Sequence, residues 1–179
     1  EMLDAKHQID RWKKIGTAAE NAFKDSVADL DFEYKIENPD RGKDFDLIIN
    51  AQGYAIEIKS VVAGKENVRM SILQGRTAVK ERDFYALCVM TRPDDEMIID
   101  KEYFKTASRF VTDIGYKIGD KIANWDAGLR SLEVDADVKV SLVDKTESVY
   151  INRNNWKDGI PFEVFIAELK KILSVNEAN

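Results

Sequence analysis

Apolar residues recur every three or four positions along much of the chain, which is the spacing of one face of a helix. Ala19, Phe23, Val27 and Leu30 predict a helix that begins at Thr17 and packs one face against a sheet. Residues 3–14 predict a separate amphipathic helix that ends near Gly16. Further helices are predicted over 70–82, 103–114 and 118–132, and a last helix opens at Pro161 and continues through Phe165, Leu169 and Leu173.

Runs rich in β-branched and aromatic residues predict strands over 32–36, 45–50, 54–62 and 84–90. The order of helix, three strands, helix and strand predicts a mixed β-sheet flanked by helices, an α/β (α+β) fold. Residues 138–143 and 148–151 predict a hairpin. We therefore expect a core with N-terminal helices over 1–92, and a helical and β-hairpin C-terminal extension over 93–179 that packs on the core as one compact unit.

The charge of the chain is divided between these two parts. The whole chain carries 27 Lys and Arg against 33 Asp and Glu, a net charge of −6 that opposes general attraction to nucleic acid. Residues 93–148 hold 13 acidic and 8 basic residues, whereas residues 35–82 hold 9 basic and 7 acidic ones. Any surface that binds nucleic acid must therefore be local, and the less acidic first half is where we expect it.

Several classes of chemistry are excluded by the residue content. Cys88 is the single cysteine and His7 the single histidine, so a disulfide framework, a cysteine-rich zinc site and a histidine-based nuclease or triad are not expected. The glycines Gly115 and Gly119 lack the Lys-Ser/Thr pair of a phosphate-binding loop. Without an apolar run of about 18 residues or a secretory signal, the chain is expected to be intracellular and cytoplasmic. Residue 1 is Glu, as expected of a cut, processed or tagged chain.

Three charged side chains interrupt predicted strands that otherwise look buried, at a cost of several kcal/mol unless a partner or metal compensates. Asp46 lies in the run DFDLIIN (44–50), and Glu57 and Lys59 lie in YAIEIKS (54–60). Glu57 and Lys59 are two residues apart, so they point to one face. A two-residue turn at Gln52-Gly53 would place Asp46 opposite Lys59 and diagonal to Glu57, within ~8 Å.

Two carboxylates and an ammonium on one face suit Mg²⁺, with Mn²⁺ as a substitute. Mg²⁺ takes one or two carboxylates, several waters and substrate phosphate. Lys59 is then placed to orient or deprotonate the attacking water and to offset charge in the transition state.

These residues resemble the PD-(D/E)xK motif of the restriction-endonuclease-like nucleases. The resemblance implies a restriction-endonuclease-like mixed sheet, in which Asp46, Glu57 and the Ile58 carbonyl hold the metal, with Glu20 on the preceding helix and Gln74 on the following one as further site residues. More narrowly, residues 15–92 resemble the NO VEIN C-terminal domain family through Gly-x-x-x-Glu, Phe-Asp-Leu-Ile and Ile-Glu-Ile-Lys-Ser. That family is found in multidomain ATPase-linked and defence-associated proteins.

Each assignment has an alternative. The charged side chains also fit an exposed, salt-bridged hairpin face. Thr17-x-x-Glu20 is also a capping box, in which Glu20 serves the helix amides, and Gln74 also fits a solvated helix position.

The sequence predicts a Mg²⁺-dependent deoxyribonuclease, the cutting module of a defence, restriction or repair system. The alternative is an inactive nuclease-fold module that binds nucleic acid or a partner ATPase. Weak DNA affinity is expected, which a homodimer or a fused or separate ATPase or helicase subunit would strengthen. The cations predicted to contact DNA are Arg41, Lys43, Lys65, Arg69 and Arg76.

Overall fold

A computed structural model describes residues 2–30, 35–37, 42–49, 52–65, 67–94, 98–134 and 148–174 of the chain. The helices are α1 (Met2–Ala28), α2 (Ile72–Glu81), α3 (Lys101–Ala107), α4 (Ile114–Val134) and α5 (Phe162–Ser174). The strands are β1 (Lys35–Glu37), β2 (Phe45–Ile49), β3 (Gln52–Val61), β4 (Val68–Ser71), β5 (Tyr85–Thr91), β6 (Ser108–Val111) and β7 (Ser148–Ile151). No helix in these ranges combines the length and the apolar character that crossing a membrane requires.

The central sheet has the strand order β1-β2-β3-β5-β6. Strand β3 pairs in parallel with β5 through the α2 crossover, while the other pairs are antiparallel. This confirms the predicted mixed α/β sheet flanked by helices. A second, two-stranded sheet pairs β4 with β7.

Helices cover both faces of the central sheet, because its inner strands are apolar on both sides. One face packs Tyr54, Ile56 and Ile58 of β3 with residues of α1, α3 and α5. The other face packs Ala55 and Val61 with residues of α2, α4 and the β4–β7 sheet. Burial on both faces is typical of strands in the middle of a sheet between helix layers. A charged residue inside β3 is thus placed in the interior.

The second half of the chain completes both sheets. Strand β6 is the edge strand beside β5, and β7 is the partner of β4. Phe110 of β6 stacks on Phe165 of α5 with ring centroids 4.2 Å apart. The predicted boundary between residues 92 and 93 therefore does not separate two packed cores: the main core cluster contains residues from both sides of it.

Helix α1 is continuous across Gly16, so the predicted helix end near Gly16 and restart at Thr17 are wrong. A helix that stops at glycine usually places it at positive φ. Among the described glycines only Gly42 and Gly64 have positive φ. Gly16 therefore continues the helix instead of capping it.

The helix predicted over 103–114 is wrong for its second half, which forms β6. Phe104 and Val111 are seven residues apart, which imitates a helical stripe, but short apolar segments do not distinguish helix from strand. The next helix begins at Ile114 rather than at Ile118. The strand predicted over 148–151 is confirmed and its partner is β4, whereas 138–143 lies outside the described residues.

Two glycines of α4 provide a matched test of the α2–α4 packing. A Cβ at Gly115 would overlap the carbonyl oxygen of Ala78, whereas a Cβ at Gly119 meets no atom within 4 Å. Gly115→Ala should destabilise the fold by about 1–3 kcal/mol, the usual cost of overpacking. Gly119→Ala should stabilise it by roughly 0.5–1 kcal/mol through helix propensity. Urea unfolding measures both changes, and equal effects of the two substitutions would contradict the close backbone contact.

Candidate active site

Strand β3 carries Glu57 and Lys59 on one face, as predicted, and their side chains are in contact. Lys59 Nζ lies 2.6 Å from Glu57 Oε1. The Glu57 residue is fully buried, while 28% of the Lys59 side chain is exposed. Glu57 is therefore an internal acid, whereas its partner Lys59 reaches solvent. The alternative of an exposed hairpin face does not apply to Glu57.

Gln74, in the first turn of α2, also contacts Glu57. Its main-chain amide donates to Ser71 Oγ at 3.1 Å, and its side-chain Oε1 accepts from the Ser71 amide at 2.8 Å. Because this reciprocal cap fixes Oε1 on the backbone, the side-chain NH₂ is directed outward, and Nε2 donates to Glu57 Oε1. Gln74 is half-buried, not the solvated helix residue that the alternative required.

Asp44 is the acid beside Glu57, although the sequence analysis had chosen Asp46. The ladder pairs Phe45 with Ile56 and Asp46 with Ala55, so the predicted pairing of Asp46 with Lys59 is wrong. Just before β2, the Asp44 amide donates to the Ile56 carbonyl at 2.9 Å. Its carboxylate accepts from the Ile58 amide at 2.6 Å. Where β2 begins, the Asp44 carboxylate therefore accepts the hydrogen bond from β3 that a main-chain carbonyl would accept within the ladder.

The turn before Asp44 depends on Gly42. Gly42 has φ 82°, a conformation that favours glycine. Its carbonyl accepts from the Tyr85 hydroxyl at 3.2 Å, and a Cβ on it would overlap Thr77 Oγ1. This turn is therefore fixed to β5 and α2, the two elements that frame Glu57.

Asp46 belongs to a different ion pair. Lys43 Nζ lies 2.9 Å from Asp46 Oδ1 and 2.9 Å from Glu81 Oε1. Burial lowers the pKa of Lys43, but the hydrogen bonds and charges of Asp46 and Glu81 outweigh it and leave that pKa raised, so Lys43 is a charged bridge between the two carboxylates. Asp46 is therefore paired with Lys43, a cation that was predicted to contact DNA.

Glu20 joins the group from α1, which lies on the opposite face of the sheet from α2. Burial raises the pKa of Glu20 and the Asp44 carboxylate adds to the rise, so Glu20 lies within electrostatic reach of Asp44. Thr17 lies inside the continuous helix α1. A capping box requires a helix start at that residue, so the alternative role of Glu20 as a capping residue is removed.

The buried carboxylates disfavour one another's ionisation. Burial raises the pKa of Glu57 to about 7, Lys59 opposes the rise, and Asp44 and Glu20 add to it. Burial also raises the pKa of Asp44, against the bond from Ile58 and the charge of Lys59. Perturbed carboxyls grouped in this way are typical of functional sites, although structural networks produce them as well.

The arrangement fits a hard divalent cation at Glu57. Its second oxygen, Oε2, is buried without a hydrogen-bond partner, the kind of atom that a metal ligand would satisfy. Among the described residues no three Asp, Glu, His or Cys side chains are grouped closely enough to hold a metal ion. Mg²⁺ needs only one or two carboxylates, because water and phosphate complete its shell. Asp44 and Glu57 meet that requirement.

The Ile58 carbonyl has the direction that the resemblance assigns to it. In an extended strand the N–H and C=O of one residue point to the same side. Since the Ile58 amide donates to Asp44, its carbonyl also lies on the Asp44 side of β3.

The other predicted DNA-binding cations divide into two groups. Arg76 is paired with Asp126 at 2.6 Å, and Arg41 lies outside the described residues. Lys65 and Arg69 are exposed and stand at the β4–β7 sheet.

Comparison of the chain with protein-family models, with curated proteins and with solved structures finds no significant match. The function of the chain is therefore inferred from the residues of the site.

The burial of Glu57 predicts the pH dependence of stability in EDTA. An unfolded glutamate ionises near 4.5 and folded Glu57 near 7, so the folded state holds the extra proton between these values. Its contribution to stability is therefore full below pH 4.5 and is lost as pH rises through 7, by about 3 kcal/mol.

Glu57→Gln should remove this loss, because an amide does not ionise. Urea unfolding at pH 5 and pH 8 measures it in both proteins, and the difference between them isolates Glu57 from Glu20 and Asp44. The same pH dependence in wild type and Glu57→Gln would show that Glu57 ionises normally.

Proposed function

We propose that the chain is a metal-dependent nuclease that hydrolyses DNA phosphodiester bonds. One observation carries the proposal: Glu57 is buried with an unpartnered Oε2, while Lys59 contacts its other oxygen from the same strand. Burying an acid in a sheet without full compensation is costly, and such cost is retained where it serves a site.

Asp44 and Glu57 are the residues that would hold the metal, with the Ile58 carbonyl beside them and Glu20 as a further acid. A bound Mg²⁺ or Mn²⁺ supplies charge that stabilises the phosphate transition state and acidifies a bound water. Asp44 replaces Asp46 in this assignment, because Asp44 bonds the Ile58 amide beside Glu57, whereas Asp46 lies opposite Ala55 and is paired with Lys43. Gln74 is a positioning residue, since it bonds the Glu57 oxygen that Lys59 also contacts.

Lys59 has two tasks in this scheme. Without metal, its ammonium compensates the charge of Glu57. With the Glu57 carboxylate bound to a metal, Lys59 would orient the attacking water and offset negative charge on the phosphate. Its partial exposure keeps the ammonium accessible to substrate, whereas Glu57 stays buried.

The biological setting we propose is a cutting module in a defence, restriction or repair system. With a net charge of −6, the chain has little general attraction for DNA. A fused or separate ATPase or helicase subunit, or a second copy of the chain, would raise the local concentration of DNA at the site.

A second candidate function is a nuclease-fold module that binds nucleic acid without cutting. Two observations favour it: no three potential ligands are grouped for a metal among the described residues, and Glu57 Oε1 is already bonded by both Lys59 and Gln74. The two functions differ in their response to metal.

The first test compares two acids that lie two residues apart, Asp44 just before β2 and Asp46 within it. Asp44→Asn should lower Mg²⁺-dependent DNA cleavage by at least ~100-fold, because it removes a charge beside Glu57. Asp46→Asn makes the same chemical change at the Lys43 pair and should retain most activity. Lys59→Ala should behave like Asp44→Asn. Plasmid nicking with Mg²⁺, and with EDTA as blank, measures all three, and a larger loss from Asp46→Asn than from Asp44→Asn would overturn the assignment.

The second test measures metal binding without cleavage. Mn²⁺ should raise the melting temperature of the wild type at pH 8, because a ligand that binds only the folded state stabilises it. Glu57→Gln should abolish the rise, while Asp46→Asn should keep it. A wild type that binds DNA but gains no stability from Mn²⁺ would favour the second candidate.

A further inference from the structure

The β4–β7 sheet has one apolar face and one polar face. Val68 and Met70 of β4 are buried, as are Val149 and Ile151 of β7. Arg69 pairs with Tyr150, and Asn67 and Asn152 are the next residues of the same parity, one step beyond the last ladder pair. Side chains alternate along a strand, so these four share the outer face. Tyr150 is 61% exposed, and Arg69 Nε donates to Ser148 Oγ at 2.6 Å.

This outer face opens into a groove of about 670 Å³. The groove is formed where the turn after β3 meets the segment after β7. Its lining contains two cations, three amide side chains and, among the described residues, no carboxylate. The lining residues are Gly64, Lys65, Asn67, Asn152, Arg153 and Asn154.

Among the described lining residues the charged side chains are both cations, in a chain whose acidic residues outnumber its basic ones 33 to 27. Lysine and arginine attract an anion, and asparagine NH₂ groups donate to its oxygens without adding charge. The groove is therefore complementary to an anionic chain of hydrogen-bond acceptors.

Two paths, each made of main chain and hydrogen bonds, join the groove to the candidate active site. Along β3, Lys59 and Val62 are three residues apart, roughly 10 Å, and Val62 forms a β-bridge with Lys65. Along β4, Arg69 is two residues from Ser71, which caps α2 at Gln74, and Gln74 bonds Glu57. A strand of DNA advances about 3.4 Å per nucleotide, so the β3 path corresponds to about three nucleotides.

We propose that the groove and the outer face of the β4–β7 sheet hold the sugar-phosphate backbone of the DNA strand cut at the Glu57 site. This inference rests on the proposed nuclease function. Lys65 and Arg153 neutralise phosphates, and the asparagines donate to phosphate oxygens a few nucleotides from the scissile bond. Tyr150 offers a ring on which an unpaired base stacks. The contacts are to backbone and ring faces, so binding is independent of sequence.

The test reverses one charge at each of two sites. Lys65→Glu lies in the groove, and Lys171→Glu is the matched control, an exposed lysine on α5 in the opposite helix layer. Asn154→Asp is a second groove variant, which adds charge with almost no change of volume. Fluorescence anisotropy with a labelled DNA oligonucleotide in Ca²⁺ gives the affinity as a function of salt.

Both groove variants should weaken DNA binding by at least about fivefold at ~150 mM salt, and Lys65→Glu should reduce the slope of log K against log salt by roughly one. Lys171→Glu should bind within about twofold of the wild type. Groove variants that bind as the wild type does would overturn the proposal, as would a polyglutamate peptide that binds the wild type as tightly as DNA. Circular dichroism confirms that each variant is folded.

Cleavage assays on the same proteins separate this proposal from the proposed function. If the wild type cuts, Glu57→Gln does not, and Lys65→Glu binds normally, the groove assignment is wrong and the nuclease stands. If Lys65→Glu binds weakly and the wild type does not cut with Mg²⁺, the groove stands and the nuclease is wrong. A wild type with no affinity for DNA at ~100 µM, the weak end of non-specific binding, overturns both.

Discussion

The arrangement of the site depends on a carboxylate held inside the sheet, Glu57 of β3. Its neighbours are explained by the need to compensate it: Lys59 contacts one oxygen, and Gln74 donates to the same oxygen. Asp44 stands at the end of the neighbouring strand and raises rather than lowers the pKa of Glu57. The charge of Glu57 is therefore only partly compensated. A metal ion, or a cation bound with the substrate, would supply the missing positive charge.

The apolar packing that buries Glu57 also makes its position rigid. β3 has a helix layer on each face, so neither Ile56 nor Ala55 can turn to solvent without opening a core. Gln74 is fixed at the first turn of α2 by its reciprocal cap with Ser71. The site is thus assembled from main-chain features, a strand, a helix start and a glycine turn, which define geometry more tightly than mobile loops do.

The sequence alone predicted those parts that follow from local geometry. Strand alternation put Glu57 and Lys59 on one face, and the apolar runs located the central strands within a few residues. The choice between Asp44 and Asp46 was beyond this reasoning, because both have the same parity and only the position of the turn decides between them. The ladder ends with Ile49 opposite Gln52, so the link between the two strands lies two residues earlier than Gln52-Gly53. Asn50, a common turn residue, was the available signal.

Other features required tertiary information. Glu20 was named from a resemblance, but its capping alternative was removed only by the continuity of α1 through Gly16. β6 was missed because four residues carry too little periodicity to be recognised. The groove could not be foreseen, since Lys65 and Arg153 are 88 positions apart and meet only through the pairing of β4 with β7.

Helix α1 runs without a break from its exposed early turns to Glu20. Ile9 and Trp12 are exposed on its early turns, and Glu20 lies eight residues beyond Trp12, about 12 Å along the axis. A helix without a break transmits tilt and rotation along its length. A tilt of α1 at the exposed surface around Trp12 would therefore be passed on to the Glu20 carboxylate at the site.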